Sequence, residues 1–207
     1  KPSLLLPPSC EVLELADPSE DGLDAVERLA DALGARSREP VREPLAPHVL
    51  PTGPLTLAGL AAVIAALLPE GAIVVDESIT SGRGLLPATR HSPPHDWLTN
   101  PGGAIGTGLP LAVGAAVACP ERKVVCLESD GSGMYTLQGL WTMAREQLDV
   151  TVVLFNNRSY EILKGEFKYV GAGDAGAKAT DMLEFGRPDL DWVALAKGQG
   201  VPAVRVE

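Results

Sequence analysis

Two apolar runs, Val124-Val125-Cys126-Leu127 and Val150 to Phe155, bracket a segment of helical period and constrain the chain more than any other feature. Such continuous hydrophobic runs are the mark of parallel strands covered on both faces. The first run stops at Ser129-Asp130-Gly131. Met134, Leu137, Leu140, Trp141 and Ala144 then recur with the spacing of a helix that lays one face on a sheet. The second run ends at Asn156-Asn157. A strand-helix-strand unit of this kind crosses over right-handed, so Asp130 and Asn157 are expected on the same edge of a parallel sheet.

One carboxylate and one amide oxygen thus converge. Both are hard oxygen ligands, and Mg2+ typically takes few protein oxygens together with substrate phosphates and water. The Gly131-Ser132-Gly133 turn offers backbone N–H groups at the start of the expected helix, where an anion is favoured. Taken singly, Asp130 reads equally well as a helix cap and Asn156-Asn157 as a turn. Their pairing across one crossover favours the ligand reading.

These residues resemble the signature of the thiamine diphosphate-dependent enzymes: Gly-Asp-Gly, a helix, then Asn-Asn. Asp130 precedes Asn157 by 27 positions, the separation usual in that family. The resemblance implies a thiamine diphosphate-binding fold with thiamine diphosphate and Mg2+ as cofactors. The metal would be held by Asp130, the Asn157 side chain and the Ser159 carbonyl, while Gly131, Ser132 and Tyr160 would contact the diphosphate. Ser129 stands where the signature has its first glycine, a change that removes no ligand.

The chain of 207 residues is long enough for one large domain, or for one domain with part of another. In its first part, Cys10-Glu-Val-Leu-Glu-Leu suggests a short strand, and Gly22 to Gly34 an amphipathic helix ended by glycine. One strand and one helix cannot bury a core. By resemblance, residues 1–35 are the tail of a preceding central domain. Residues 36–53, with Pro40, Pro44, Pro47 and Pro51, read as a linker that resists regular structure. Residues 54–207 then form the diphosphate-binding domain, truncated at its C-terminus.

Within that domain the expected order is a helix (Leu55 to Leu68), a strand (Ala72 to Asp76), the central unit, and a last helix and strand through Val201 to Val206. Strands alternating with helices define an α/β class, a doubly wound parallel sheet with helices on both faces and ligands beyond the carboxyl ends of the strands. At that edge Ser78, Thr80 and Ser81 could donate hydroxyls to a diphosphate, or cap the next helix. Asn100-Pro-Gly-Gly-Ala-Ile-Gly-Thr-Gly is a glycine-rich loop before an Ala-rich helix. Resemblance assigns it the aminopyrimidine: the Gly103 carbonyl and Ile105 N–H would bind the ring, and the Ile105 side chain would hold the cofactor bent. Gly171 to Gly176 reads as a loop able to close over the site. Ile79, Leu163 and Glu166 are substrate-pocket candidates by position. Glu166 reads more readily as a solvated carboxylate, since most glutamates are exposed.

A net charge of −10 and a pI near 4.8 argue against nucleic-acid or anionic-membrane partners, which need clustered Lys and Arg. Cys10, Cys119 and Cys126 lack metal-like spacing and read as reduced thiols, favouring the cytoplasm. The longest apolar segment, Leu55 to Leu68, is too short to span a bilayer. His48, His91 and His95 lie near prolines and are assigned no catalytic role.

The resemblance is strongest to the benzoylformate decarboxylase and acetolactate synthase branch. It implies decarboxylation of a 2-oxo acid, or carboligation to an aldehyde, in a homodimer or homotetramer. The glutamate that activates the cofactor in this family lies on a pyrimidine-binding domain that these residues lack, so no catalytic residue is expected here. That domain would come from the rest of a longer chain or from another subunit. A non-catalytic cofactor-binding or assembly module, and a Mg2+-dependent enzyme using another phosphate ligand, are the rival readings.

Overall fold

The computed structural model describes residue 7 and residues 9–39 and 49–207. The chain divides into two compact units, residues 1–42 and 43–207. Most of the proline-rich segment, with Pro40, Pro44, Pro47 and His48, lies outside the described residues.

In the first unit, helix α1 (Gly22–Ala32) starts at Asp21, whose Oδ1 accepts the Leu23 and Asp24 N–H groups at 2.9 and 3.2 Å. It ends where Gly34 takes a left-handed conformation, φ 63°, as a glycine terminator should. The strand expected over Cys10 to Leu15 does not form; those residues pair with nothing regular and most are exposed. A lone strand has no ladder to join within so short a unit, and its backbone is left to solvent.

The second unit is built on a four-stranded parallel sheet, and its elements follow in chain order. They are α2 (Leu57–Leu67), β1 (Ile73–Glu77), α3 (Leu85–Ala88), β2 (Asp96–Thr99), α4 (Gly108–Ala118), β3 (Val124–Ser129), α5 (Asp130–Gly133), α6 (Gly139–Arg145), β4 (Val150–Phe155), α7 (Glu161–Tyr169), α8 (Ala177–Leu183) and α9 (Trp192–Gly198). The strand order is β2-β1-β3-β4, every pair parallel. This is the doubly wound architecture expected from the sequence.

Side-chain alternation along the strands divides the core between two faces. Ile73, Val75, Val124 and Cys126 meet Leu109, Ala112 and Ala116 of α4, Leu140 and Met143 of α6 and Ala196 of α9. Val74 and Leu127 meet Ala61 and Ile64 of α2 and Leu85 of α3 on the other. Burial on both faces is why β1 and β3 are continuously apolar until their last residues.

Two further sequence expectations are corrected, and one strand was not expected. The helix expected from Met134 to Ala144 is irregular over residues 134–138, after the single turn α5, and helical only from Gly139, as α6. Only Leu140 and Met143 of α6 are buried; Trp141 is exposed and carries the Arg145 guanidinium 5.2 Å from its ring centroid. Val201 to Val206 forms no strand, and Val204 and Val206 point to solvent. Strand β2 was not foreseen: it is four residues long, pairs only with β1, and has exposed ends at Asp96 and Thr99.

Candidate functional site

The chain leaves β1 toward β2 on one side of the sheet and leaves β3 toward β4 on the other. The carboxyl ends of β1 and β3 are therefore the topological switch point, where an open α/β sheet forms its ligand crevice. A cleft of about 170 Å3 lies there, lined by Ile79 and Thr80 after β1, Ile105, the Ser129–Ser132 turn and Tyr135, and Asn157 and Ser159 to Leu163 after β4.

The polar wall is set by Asp130. Ser129 is the register partner of Phe155, so the two chain segments leave the sheet side by side. The Asp130 Oδ1 accepts the Gly131 N–H at 2.9 Å and Oδ2 accepts the Arg158 N–H at 2.7 Å, across the two turns. Arg158 reaches that position with φ 57°, a left-handed backbone between Asn157 and Ser159. Burial holds the Asp130 carboxyl above the ordinary aspartate range despite these two donors. Asn157 turns its Oδ1 onto the Ser159 N–H at 2.9 Å. Ser159 makes an antiparallel bridge with Glu184 whose bonds run through the Arg158 carbonyl and the Tyr160 N–H, so the Ser159 carbonyl takes no part in it.

Tyr160 stacks edge-on against Phe185, ring centroids 4.4 Å apart, and packs over Gly131, where an added Cβ would lie 2.7 Å from Tyr160 Cε1. Burial, with the Tyr135 hydroxyl and the Asp130 charge, pushes its phenol up to about 12, so it is a neutral donor. The lining also has an apolar part, Ile79, Ile105 and Leu163, the last two half exposed. Ile79 sits at φ 51°, a strained backbone for a β-branched residue.

Of the residues singled out from the sequence, Thr80, Ile105, Asp130, Gly131, Ser132, Asn157, Ser159, Tyr160, Ile79 and Leu163 line this cleft. Ser78 does not: its hydroxyl donates to Asp76 Oδ1 at 2.5 Å and lies buried beneath Gly82. Gly103 is exposed outside the cleft lining, and Glu166 is exposed on α7, as its residue type favoured. The Ser132 hydroxyl is committed to Glu128 Oε1 at 2.6 Å, leaving its backbone toward the cleft.

Sequence reasoning missed a pair of carboxyls directly behind the cleft. Glu77 ends β1 and Glu128 is the penultimate residue of β3; they face each other in register and are 1% and 0% exposed. The Glu77 Oε1 accepts from the Asn100 side chain at 3.1 Å and the Gly106 N–H at 2.8 Å, and its Oε2 from the Gly108 N–H at 2.5 Å. Burial foremost, with the Glu77 charge, pushes the Glu128 carboxyl up to about 8 against the Ser132 and backbone donors. Burial and the charges of Glu128, Glu77 and Asp76 likewise raise the Cys126 thiol. The signal was an acidic residue following the apolar run of each strand, Asp76-Glu77 after Ile73–Val75 and Glu128 after Val124–Leu127.

The lining fits a cofactor with a charged end and an aromatic end: it combines oxygens of Asp130, Asn157 and Ser159 with the aliphatic side chains of Ile79, Ile105 and Leu163. Among the described residues no cluster of three His, Cys, Asp or Glu side chains suits a metal, so a metal here would depend on the single Asp130 carboxylate with amide and carbonyl oxygens.

A doubly wound sheet with an oxygen-rich turn at its switch point defines a class of phosphate-ligand-binding α/β domains. Comparison with known proteins makes the class particular. Residues 83–207 match the family model "Thiamine pyrophosphate enzyme, C-terminal TPP binding domain". A Mycobacterium tuberculosis protein provisionally named acetolactate synthase large subunit IlvX is 56% identical over 206 residues, covering 99% of this chain and 40% of that protein. Benzoylformate decarboxylase of Pseudomonas aeruginosa is 32% identical over 152 residues, covering 73% of this chain and 28% of that enzyme. The solved thiamine diphosphate-dependent 4-hydroxybenzoylformate decarboxylase of Rhodococcus jostii RHA1 superposes with a TM-score of 0.67 at 30% identity, over 88% of this chain and 34% of the other. The chain belongs to the thiamine diphosphate-dependent enzyme family, in its acetolactate synthase and benzoylformate decarboxylase branch. It spans well under half the length of these relatives.

Proposed function

We propose that this chain supplies the diphosphate- and magnesium-holding part of a 2-oxo acid decarboxylase or carboligase. The observation that carries the reading is that Asp130, Asn157 and Ser159, whose carbonyl the Glu184 bridge leaves unused, line one cleft together with Ile79, Ile105 and Leu163. When bound, thiamine diphosphate supplies a nucleophilic carbon and a sink for the electron pair left when CO2 departs from a 2-oxo acid.

The chain's residues bind and orient. Asp130, the Asn157 amide oxygen and the Ser159 carbonyl hold Mg2+, which neutralises a diphosphate that the chain's net charge of −10 would otherwise repel. The Gly131–Ser132 backbone, Thr80 and the Tyr160 phenol face the diphosphate, with Thr80 better placed than Ser78. The loop through Gly103 and Ile105 receives the aminopyrimidine, and Ile105 props it. Ile79 and Leu163 shape the substrate wall and exclude water. The activating glutamate is supplied by a pyrimidine-binding domain outside these residues, in a homodimer or homotetramer. Residues 1–35 belong with a preceding central domain, and 54–207 are the binding domain. The free thiols of Cys10, Cys119 and Cys126 support a cytoplasmic setting; no described helix is long and apolar enough to cross a membrane.

Calorimetry of the complete protein with thiamine diphosphate and Mg2+ tests the reading. Binding that needs Mg2+ and disappears in Asp130→Ala is expected, together with CO2 release from members of a 2-oxo acid panel. Binding indifferent to Asp130→Ala sinks the cofactor site. Binding without CO2 release or aldehyde ligation favours a non-catalytic module instead.

A further inference from the structure

The Asn100–Gly108 loop has few hydrogen bonds of its own: a turn from the Ala104 N–H to the Pro101 carbonyl, and the Thr107 hydroxyl on the Ala104 carbonyl. It contains left-handed glycines at 102, 103 and 106. A segment so composed has no intrinsic reason to keep one shape. Its shape is imposed from below. The Glu77 carboxyl, fully buried at the end of β1, takes three donors from it: the Asn100 side chain, the Gly106 N–H and the Gly108 N–H. The Thr136 hydroxyl adds a single bond to the Gly106 carbonyl from the side.

Glu128, the register partner of Glu77, closes the space beneath Gly108, where a Cβ would collide with both carboxyls. One carboxylate with bonds to both ends of the loop fixes the distance between Asn100 and Gly108, and with it the position of Ile105 on the cleft wall. A buried carboxylate accepting several N–H groups is strongly held, because each lost partner leaves a desolvated group behind.

We infer that Glu77 is a positioning residue that presets the Asn100–Gly108 loop for the ring end of the cofactor, while the diphosphate end is bound independently of it. This rests on the cofactor reading above. Glu77 touches neither cofactor nor substrate; it acts through the Gly106 and Gly108 backbone.

The test is Glu77→Gln in the complete protein, which keeps the volume and one oxygen but turns an N–H2 toward a loop donor. Three measurements are compared with the unsubstituted protein: amide hydrogen exchange over residues 100–109, and calorimetric affinity for thiamine diphosphate and for inorganic diphosphate, both with Mg2+. Loop exchange faster by about tenfold or more and thiamine diphosphate affinity weaker by about tenfold are expected, with inorganic diphosphate changed by less than about twofold. An unchanged loop, or equal weakening of both ligands, overturns the inference.

If Glu77→Gln does not fold, Asn100→Ala removes one of the three donors and leaves the carboxyl in place. The same differential at smaller amplitude is expected, and its absence overturns the inference. If the unsubstituted protein binds neither ligand, the cofactor reading fails, and the exchange measurement still decides whether Glu77 holds the loop.

Discussion

Glu77 and Glu128 are register partners on adjacent parallel strands, both buried, with their carboxyls meeting beneath the Cα of Gly108. Gly108 opens α4, so the first turn of that helix rests directly on the pair. Gly108→Ala places a methyl group against both carboxyls. Neither carboxyl is the free end of an exposed side chain, and the helix itself must shift. A loss of at least about 3 kcal/mol, the upper range for overpacking, is expected in urea unfolding. Gly114→Ala, in the same helix with open space around its Cα, serves as the control and should be neutral or stabilising.

The same pair makes stability depend on pH. Burial lifts the Glu128 carboxyl from an ordinary value of 4.5 to about 8, so the folded chain keeps a proton that the unfolded chain has lost. The unfolded state then binds fewer protons, and stability falls as pH rises. The contribution is fully present below about pH 4.5 and is lost by the time pH passes about 8, with a slope of at most about 1.4 kcal/mol per pH unit from this group. Thermal unfolding between pH 5 and 8.5 should show Tm decreasing, and Glu128→Gln, which imitates the protonated form, should flatten the profile. An equally steep profile in Glu128→Gln would assign the effect to other groups.

Tyr160 offers a separation of ring from hydroxyl. Its ring packs against Phe185 and over Gly131, whereas its hydroxyl sits in the cleft beside Tyr135. Tyr160→Phe keeps the ring contact, so unfolding free energy should stay within about 0.5 kcal/mol, while Tyr160→Ala should cost about 2 kcal/mol or more. Affinity for inorganic diphosphate with Mg2+ should fall severalfold in both. If Tyr160→Phe binds as the unsubstituted protein does, the phenol is no part of the anion site.

The sequence revealed those features that depend on local pattern. Strands β1, β3 and β4 and helices α2 and α4 are long apolar runs, and the Asp130–Asn157 convergence follows from the handedness of one crossover. Strand β2 escaped notice because an edge strand of four residues, polar at both ends, has neither period nor length. The break between α5 and α6 escaped because the apolar residues from Met134 to Ala144 keep helical spacing although residues 134–138 form an irregular turn that leaves Met134 exposed. The Glu77–Glu128 pair is a matter of register between strands 51 residues apart, which no local pattern encodes. Ser78 illustrates the reverse: a hydroxyl near the right edge was consumed by its neighbour Asp76.

Ile79 is the residue where local preference and fold disagree most openly. Its φ of 51° is unfavourable for a β-branched side chain by about 1–2 kcal/mol, yet it occupies the cleft wall. An ordinary truncation of a partly buried isoleucine loses about 2–5 kcal/mol. In Ile79→Gly that loss is offset by release of the strained backbone, less the greater freedom of glycine in the unfolded chain. The expected loss in urea unfolding is about 0.5–1 kcal/mol smaller than that of Ile79→Ala, accompanied by weaker thiamine diphosphate binding because the aliphatic wall is gone. Ile79→Ala, which keeps the strain and loses the contacts, should be less stable than Ile79→Gly. The opposite order would mean that the left-handed backbone costs little, and that Ile79 is held there by packing alone.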